Sequence, residues 1–140
     1  MRKVFFIILS VIISMGVYGL SESSLYNASG QGSSTFITAD NEDAVMVYMF
    51  TGARSGNIHY RGAVVYVDDE MQPEGVIHFK WYTYRGDIII EPHLMEVYEN
   101  GEVVAEQEGF NNPVRDSVSL FRHGGRTMLT IGDVNLLLMN

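Results

Sequence analysis

From Phe36 onward, apolar residues alternate with polar ones or run in short blocks, and no stretch keeps a helical period beyond two turns. Turn signals break the pattern about every ten residues. This predicts strands over 44–51, 58–67, 76–85, 88–98, 102–108, 115–122, 127–131 and 134–139, with an extra edge strand over 36–38. Asn100-Gly101 and Gly124-Gly125 are strong two-residue hairpin signals, because both central positions of a type I′ turn need positive φ. Gly86-Asp87 and Gly132-Asp133 are good ones. Every connection is short, so the expected arrangement is an up-and-down meander.

The turns give a register that tests itself. With Gly86-Asp87 as the turn, Phe79 falls opposite Leu94 and Thr83 opposite Ile90. With Val67 opposite Val76 across the acidic loop, Val64 meets Phe79 and Gly62 meets Trp81, a large aromatic covering a strand glycine. Around Asn100-Gly101, Tyr98 meets Val103. One face then carries Tyr60, Val64, Tyr66, Ile77, Phe79, Trp81, Ile90, Leu94, Tyr98 and Val103, and the other His59, Arg61, His78, Lys80, Glu91, His93, Glu106 and Glu108. The first is a core face and the second a wet one. About eight antiparallel strands so patterned close into a small barrel, with a two-sheet sandwich as the alternative. The architecture resembles the lipocalin-type barrels. Their Gly-x-Trp near the first strand is missing, since the single tryptophan, Trp81, sits in mid-domain, and no helical lid is visible. The resemblance therefore implies a fold and no function.

Residues 1–19 read as a signal peptide: Arg2 and Lys3 form a basic start, an apolar run follows from Val4, and Val17-Tyr18-Gly19 gives a cleavage site. The expected location is secreted or periplasmic, and an uncleaved membrane anchor is the alternative. Residues 20–35 are Ser- and Gly-rich and read as a flexible spacer, leaving a single β domain over 36–140. The whole chain has 9 basic and 17 acidic side chains. Loss of Arg2 and Lys3 leaves 7 basic against 17 acidic, a net charge of −10. That balance argues against a nucleic-acid partner and a polybasic membrane role, and neither is expected. With no cysteine, disulfides and thiol chemistry are excluded as well.

Candidate chemistry is sparse. His59 and His78 share the wet face but lie roughly 20 Å apart, and Lys80 opposite His93 puts a cation where His78 and His93 would hold a metal. The acidic loop from Asp68 to Glu74 matches no defined calcium loop. Arg85-Gly86-Asp87 is the tripeptide that integrin receptors read, yet Gly-Asp is also what a hairpin turn wants. Glu96 falls on the core face, opposite Ile77, but near a strand end that water reaches, so a structural or solvated role is expected of it. No catalytic motif is present, and no cofactor or metal site is expected.

The sites expected here come from topology. Alternate loops of a meander share an end, which gathers Arg54, Arg85 and Arg115 at one mouth of the barrel, in place to receive a carboxylate or phosphate unless each balances a neighbouring acid such as Asp87 or Asp116. Tyr60, Tyr66, Phe79, Trp81 and Tyr98 line the interior behind them. The function this implies is a non-enzymatic binding module for a small amphipathic or anionic ligand. An envelope structural or interaction protein using an exposed strand edge is the alternative, and a hydrolase using Glu96 or a histidine ranks last.

Overall fold

The computed structural model describes residues 20–39, 42, 44–108 and 112–139. The leader lies outside the described residues, and among those described no helix is long and apolar enough to cross a membrane. The described residues are all β apart from one short helix, α1 (Glu22–Tyr26). Nine strands follow: β1 (Ser33–Thr38), β2 (Met46–Arg54), β3 (Tyr60–Val67), β4 (Pro73–Tyr84), β5 (Asp87–Glu99), β6 (Glu102–Glu108), β7 (Val114–His123), β8 (Arg126–Ile131) and β9 (Val134–Leu138).

Eight of them close an antiparallel barrel. Neighbours pair in chain order from β1 to β5, then β5 with β7, β7 with β8 and β8 with β9, and β9 returns to β1 through Phe36↔Leu138, Ile37↔Leu137 and Thr38↔Leu136. The expected edge strand at 36–38 is thus the stave that closes the wall. The segment 102–108, expected as a stave, is the extra strand instead. β6 pairs with the second half of β5 and β7 with the first half, on the same edge and in the same direction. They act as one strand interrupted between Glu108 and Val114. The interruption falls beside Glu91, Pro92 and His93, so the missing N–H of Pro92 costs no ladder bond on that edge.

Alternation fills the interior. Phe36, Phe50, Phe79, Trp81, Ile88, Leu129 and Leu136 are inaccessible or nearly so, and their rings meet edge to face or tilted, as Phe50 does against Trp81 at 5.3 Å. Gly62 is where backbone and ring approach closest: a Cβ there would stand 2.5 Å from Cε1 of Phe79.

The hairpin turns at Asn100-Gly101 and Gly124-Gly125 form as expected, with positive φ at all four residues, and Tyr98 does meet Val103. The turn between β4 and β5 lies one residue earlier than expected. Arg85 (φ +53) and Gly86 (φ +83) are its central pair, so Phe79 faces Pro92 and Thr83 faces Ile88. Across β3 and β4, Val64 meets Ile77 and Gly62 meets Phe79 rather than Trp81. The cause there is the acidic loop, which Asp68 tightens by accepting from the N–H groups of Glu70 and Gln72. Both shifts are two residues, which leaves every side chain on its expected face.

One irregularity does change faces. Phe79 pairs with Pro92 and His78 with Leu94, so His93 is an extra residue in β5, a bulge. Beyond it Met95 and Val97 turn inward. Leu94, Glu96 and Tyr98, expected on the core face, turn outward.

The segment read as a spacer is folded. Ser21 caps α1 by accepting from the N–H of Ser24, Leu25 is fully buried in the core, and the Tyr26 ring packs on Tyr60 and Trp81. Gly52 makes room for Tyr26, because a Cβ there would meet its ring at 2.8 Å. The carboxylate of Glu22 accepts from both the N–H and the hydroxyl of Thr83. Few but large apolar residues plug this end of the barrel, which composition averaged over the segment conceals.

Candidate functional site

With α1 across one end, the opening is at the other. There the inward positions of β2, β3, β4, β5, β7 and β8 bring Tyr48, Val64, Ile77, Phe79, Ile90, Pro92, Val114 and Ile131 around an apolar pocket of about 150 Å³, with Asp116 in its wall. The pocket exists because the wall parts. Beyond Ile90, β5 leaves β7 for β6, and β7 joins β8 only from Val118 onward, so among the described residues Val114 and Asp116 border a gap in the pairing. Tyr66, Val97 and Val114 remain more than a third exposed at or beyond the rim.

Two polar groups face this pocket. Asp116 sits on the inward phase of β7, opposite Ile88 and two residues before Val118, both buried. Its carboxylate has no hydrogen bond or ion pair among the described residues, and a Cβ added at Gly132 would stand 3.4 Å from it. Tyr48 stacks on Phe50 at 6.0 Å, and its hydroxyl likewise lacks a partner among the described residues. Burial, reinforced by Tyr66 and by the charge of Asp116, pushes the Tyr48 hydroxyl up to about 12. It is neutral at physiological pH, able both to donate and to accept.

Of the residues expected to form a site, only Phe79 lines this pocket, with Tyr66 near its rim. Trp81 is fully buried, donating its indole N–H to the carbonyl of Arg61, and Tyr60 packs beside it. Tyr98, turned outward by the bulge, lines an acidic cleft with Asp68, Glu70, Glu74 and Glu99. The arginines do not form one cluster. Arg85 and Arg115 flank the Tyr84 ring, each 5.2 Å from its centre, and Arg115 also pairs with Asp87 at 2.6 Å. Arg54 is tied instead to the Tyr60 hydroxyl and the Asn57 carbonyl. All three lie toward the plugged end.

The outer wall carries two pairs that the expected register did not give: His59 with Glu91 at 2.9 Å and His78 with Glu96 at 2.7 Å. Glu96 faces Val76 rather than Ile77, and Lys80 faces Glu91 rather than His93. Burial, then the charges of His78, Lys80 and Arg61, hold His93 below its ordinary value. Neither pair lines the apolar pocket or the acidic cleft. Among the described residues no three His, Asp or Glu converge on a point that would hold a metal ion.

The signal for the missed residues lies in phase. Val114-x-Asp116-x-Val118-x-Leu120 puts a carboxylate where alternation demands an apolar group, and Met46-x-Tyr48-x-Phe50 does the same with a hydroxyl. Comparison with protein-family models, with curated proteins and with solved structures finds no match.

Proposed function

We propose that the protein is an exported, non-enzymatic binding module whose barrel takes the apolar part of a small amphipathic molecule into its open mouth. What carries the reading is the apolar pocket itself, built from side chains of six strands and entered past exposed Tyr66 and Val114. Small eight-stranded barrels have room for one small ligand or none. A dry cavity of this size lined by aliphatic and phenyl groups accepts a benzene-sized guest. The location follows from the leader, whose removal leaves the domain secreted or periplasmic.

The interaction-protein reading keeps one observation in its favour: every residue of β6 is exposed, and among the described strands it pairs with β5 alone. Glu102, Glu106 and Glu108 stud it, however, and charges on an edge strand oppose its use as a template for another chain. The test of the ligand reading is calorimetric titration of the purified protein with short uncharged compounds, hexanol and toluene. Saturable one-to-one binding that Ile77→Phe abolishes is expected. Absence of binding by the unmodified protein would rule the reading out.

A further inference from the structure

Resting on that reading, we infer that the polar end of the ligand is a cation, an alkyl- or arylammonium group, and that Asp116 is its counter-ion. The first ground is Asp116 itself. Asp116 is a half-buried carboxylate in the wall of a pocket otherwise lined by groups such as Val64, Ile77, Ile90 and Ile131, and with no donor among the described residues its charge is left for a ligand to pair. Its sequence neighbour Arg115 does not do so. Arg115 lies on the opposite phase of β7 and spends its charge on Asp87 and the Tyr84 ring.

The second ground is the field at the mouth. The turns at this end supply Asp68, Asp69, Glu70, Glu99 and Glu102, whereas Arg54, Arg85 and Arg115 lie toward the plugged end and Lys80 and Arg61 on the outer wall. Among the described residues an approaching anion meets only like charge there. A cation is drawn in, and most strongly at low ionic strength. The Tyr48 hydroxyl, across the same pocket on β2, adds a neutral acceptor for an ammonium N–H. Aliphatic walls, one carboxylate and one hydroxyl fit a protonated amine carried on an apolar body.

The experiment compares three probes that share one tail, hexylammonium, hexanol and hexanoate, titrated calorimetrically into the purified full chain at pH 7. Hexylammonium is expected to bind at least about tenfold more tightly than hexanol, the factor one partly desolvated charge pair supplies, and hexanoate more weakly than either. Raising the salt concentration shrinks the hexylammonium advantage. In Asp116→Asn, checked for fold by its amide NMR spectrum, the ratio of hexylammonium to hexanol affinity falls to within about twofold. Equal or tighter binding of hexanol or hexanoate by the unmodified protein would overturn the assignment while leaving a ligand-binding pocket. So would an ammonium preference that survives Asp116→Asn. Binding of none of the three would remove the pocket reading and the cation with it.

Discussion

Glu22 and Thr83 join the plug to the barrel: one carboxylate oxygen of Glu22 accepts from the N–H and from the hydroxyl of Thr83, each at 2.8 Å. Partial burial alone would raise the Glu22 carboxyl. The two Thr83 donors, its own N–H and the charge of Arg54 more than offset this and hold it below its ordinary value. A depressed carboxyl stabilises the fold above the unfolded value of about 4.3 and loses that contribution as pH falls through the folded value beneath it. Glu22→Gln is therefore expected to cost about 1–2 kcal/mol at neutral pH, read by urea denaturation. Its deficit should shrink as pH drops from about 5 toward 3. A deficit independent of pH would mean that the ionised carboxylate contributes nothing.

Two glycines separate a rigid contact from a yielding one. A Cβ on Gly62 would meet the Phe79 ring at 2.5 Å and the Met49 carbonyl oxygen at 2.9 Å, whereas one on Gly52 would meet only the Tyr26 ring, at 2.8 Å. Backbone in the middle of a sheet gives less than a side chain on a five-residue helix. Gly62→Ala should cost about 1–3 kcal/mol in thermal or urea unfolding, and Gly52→Ala less. The reverse order would mean that the plug is held more firmly than the sheet.

Arg85 occupies a left-handed position, φ +53, at the first centre of a type I′ turn. Asn tolerates that conformation better. Arg85→Asn forfeits an exposed contact with the Tyr84 ring, worth about 0.5–1 kcal/mol at most and duplicated by Arg115 on the same ring. The net effect expected is a gain of up to about 1 kcal/mol, measured as a raised midpoint of unfolding. A loss of stability would show that the arginine is kept for its packing on Tyr84.

Alternation and glycine-bearing turns were enough to read the all-β class, the meander and the inward faces of β3 and β4, because a register error of two residues leaves the faces intact. Three things were hidden. The bulge at His93 has no signature beyond an adjacent proline, and it turns Tyr98 and Glu96 out of the barrel. The plug rests on two residues, Leu25 and Tyr26, inside a stretch whose average composition is that of a linker. Asp116 was legible as an acid out of phase in Val114-x-Asp116-x-Val118, but its meaning depends on the gap between β6 and β8, which only the long-range pairing creates. The arginines lie toward the end where alternate loops should bring them. That an acid engages Arg115 is what the neighbouring Asp87 offered in the sequence, whereas no local pattern foretold that Tyr60 and Asn57 hold Arg54 and a ring holds Arg85.

In the proposed function the open mouth, not the plugged end, receives an apolar group. Isoleucine methyl NMR reads it directly, because Ile77, Ile90 and Ile131 line the pocket while Ile58 lies in the loop between β2 and β3 at the plugged end and Ile37 points away from the core on β1. On titration with hexanol, saturable shifts are expected at Ile77, Ile90 and Ile131, with Ile37 and Ile58 unmoved. Shifts at Ile58 that leave the three pocket methyls in place, or no saturable shift at all, would contradict the account.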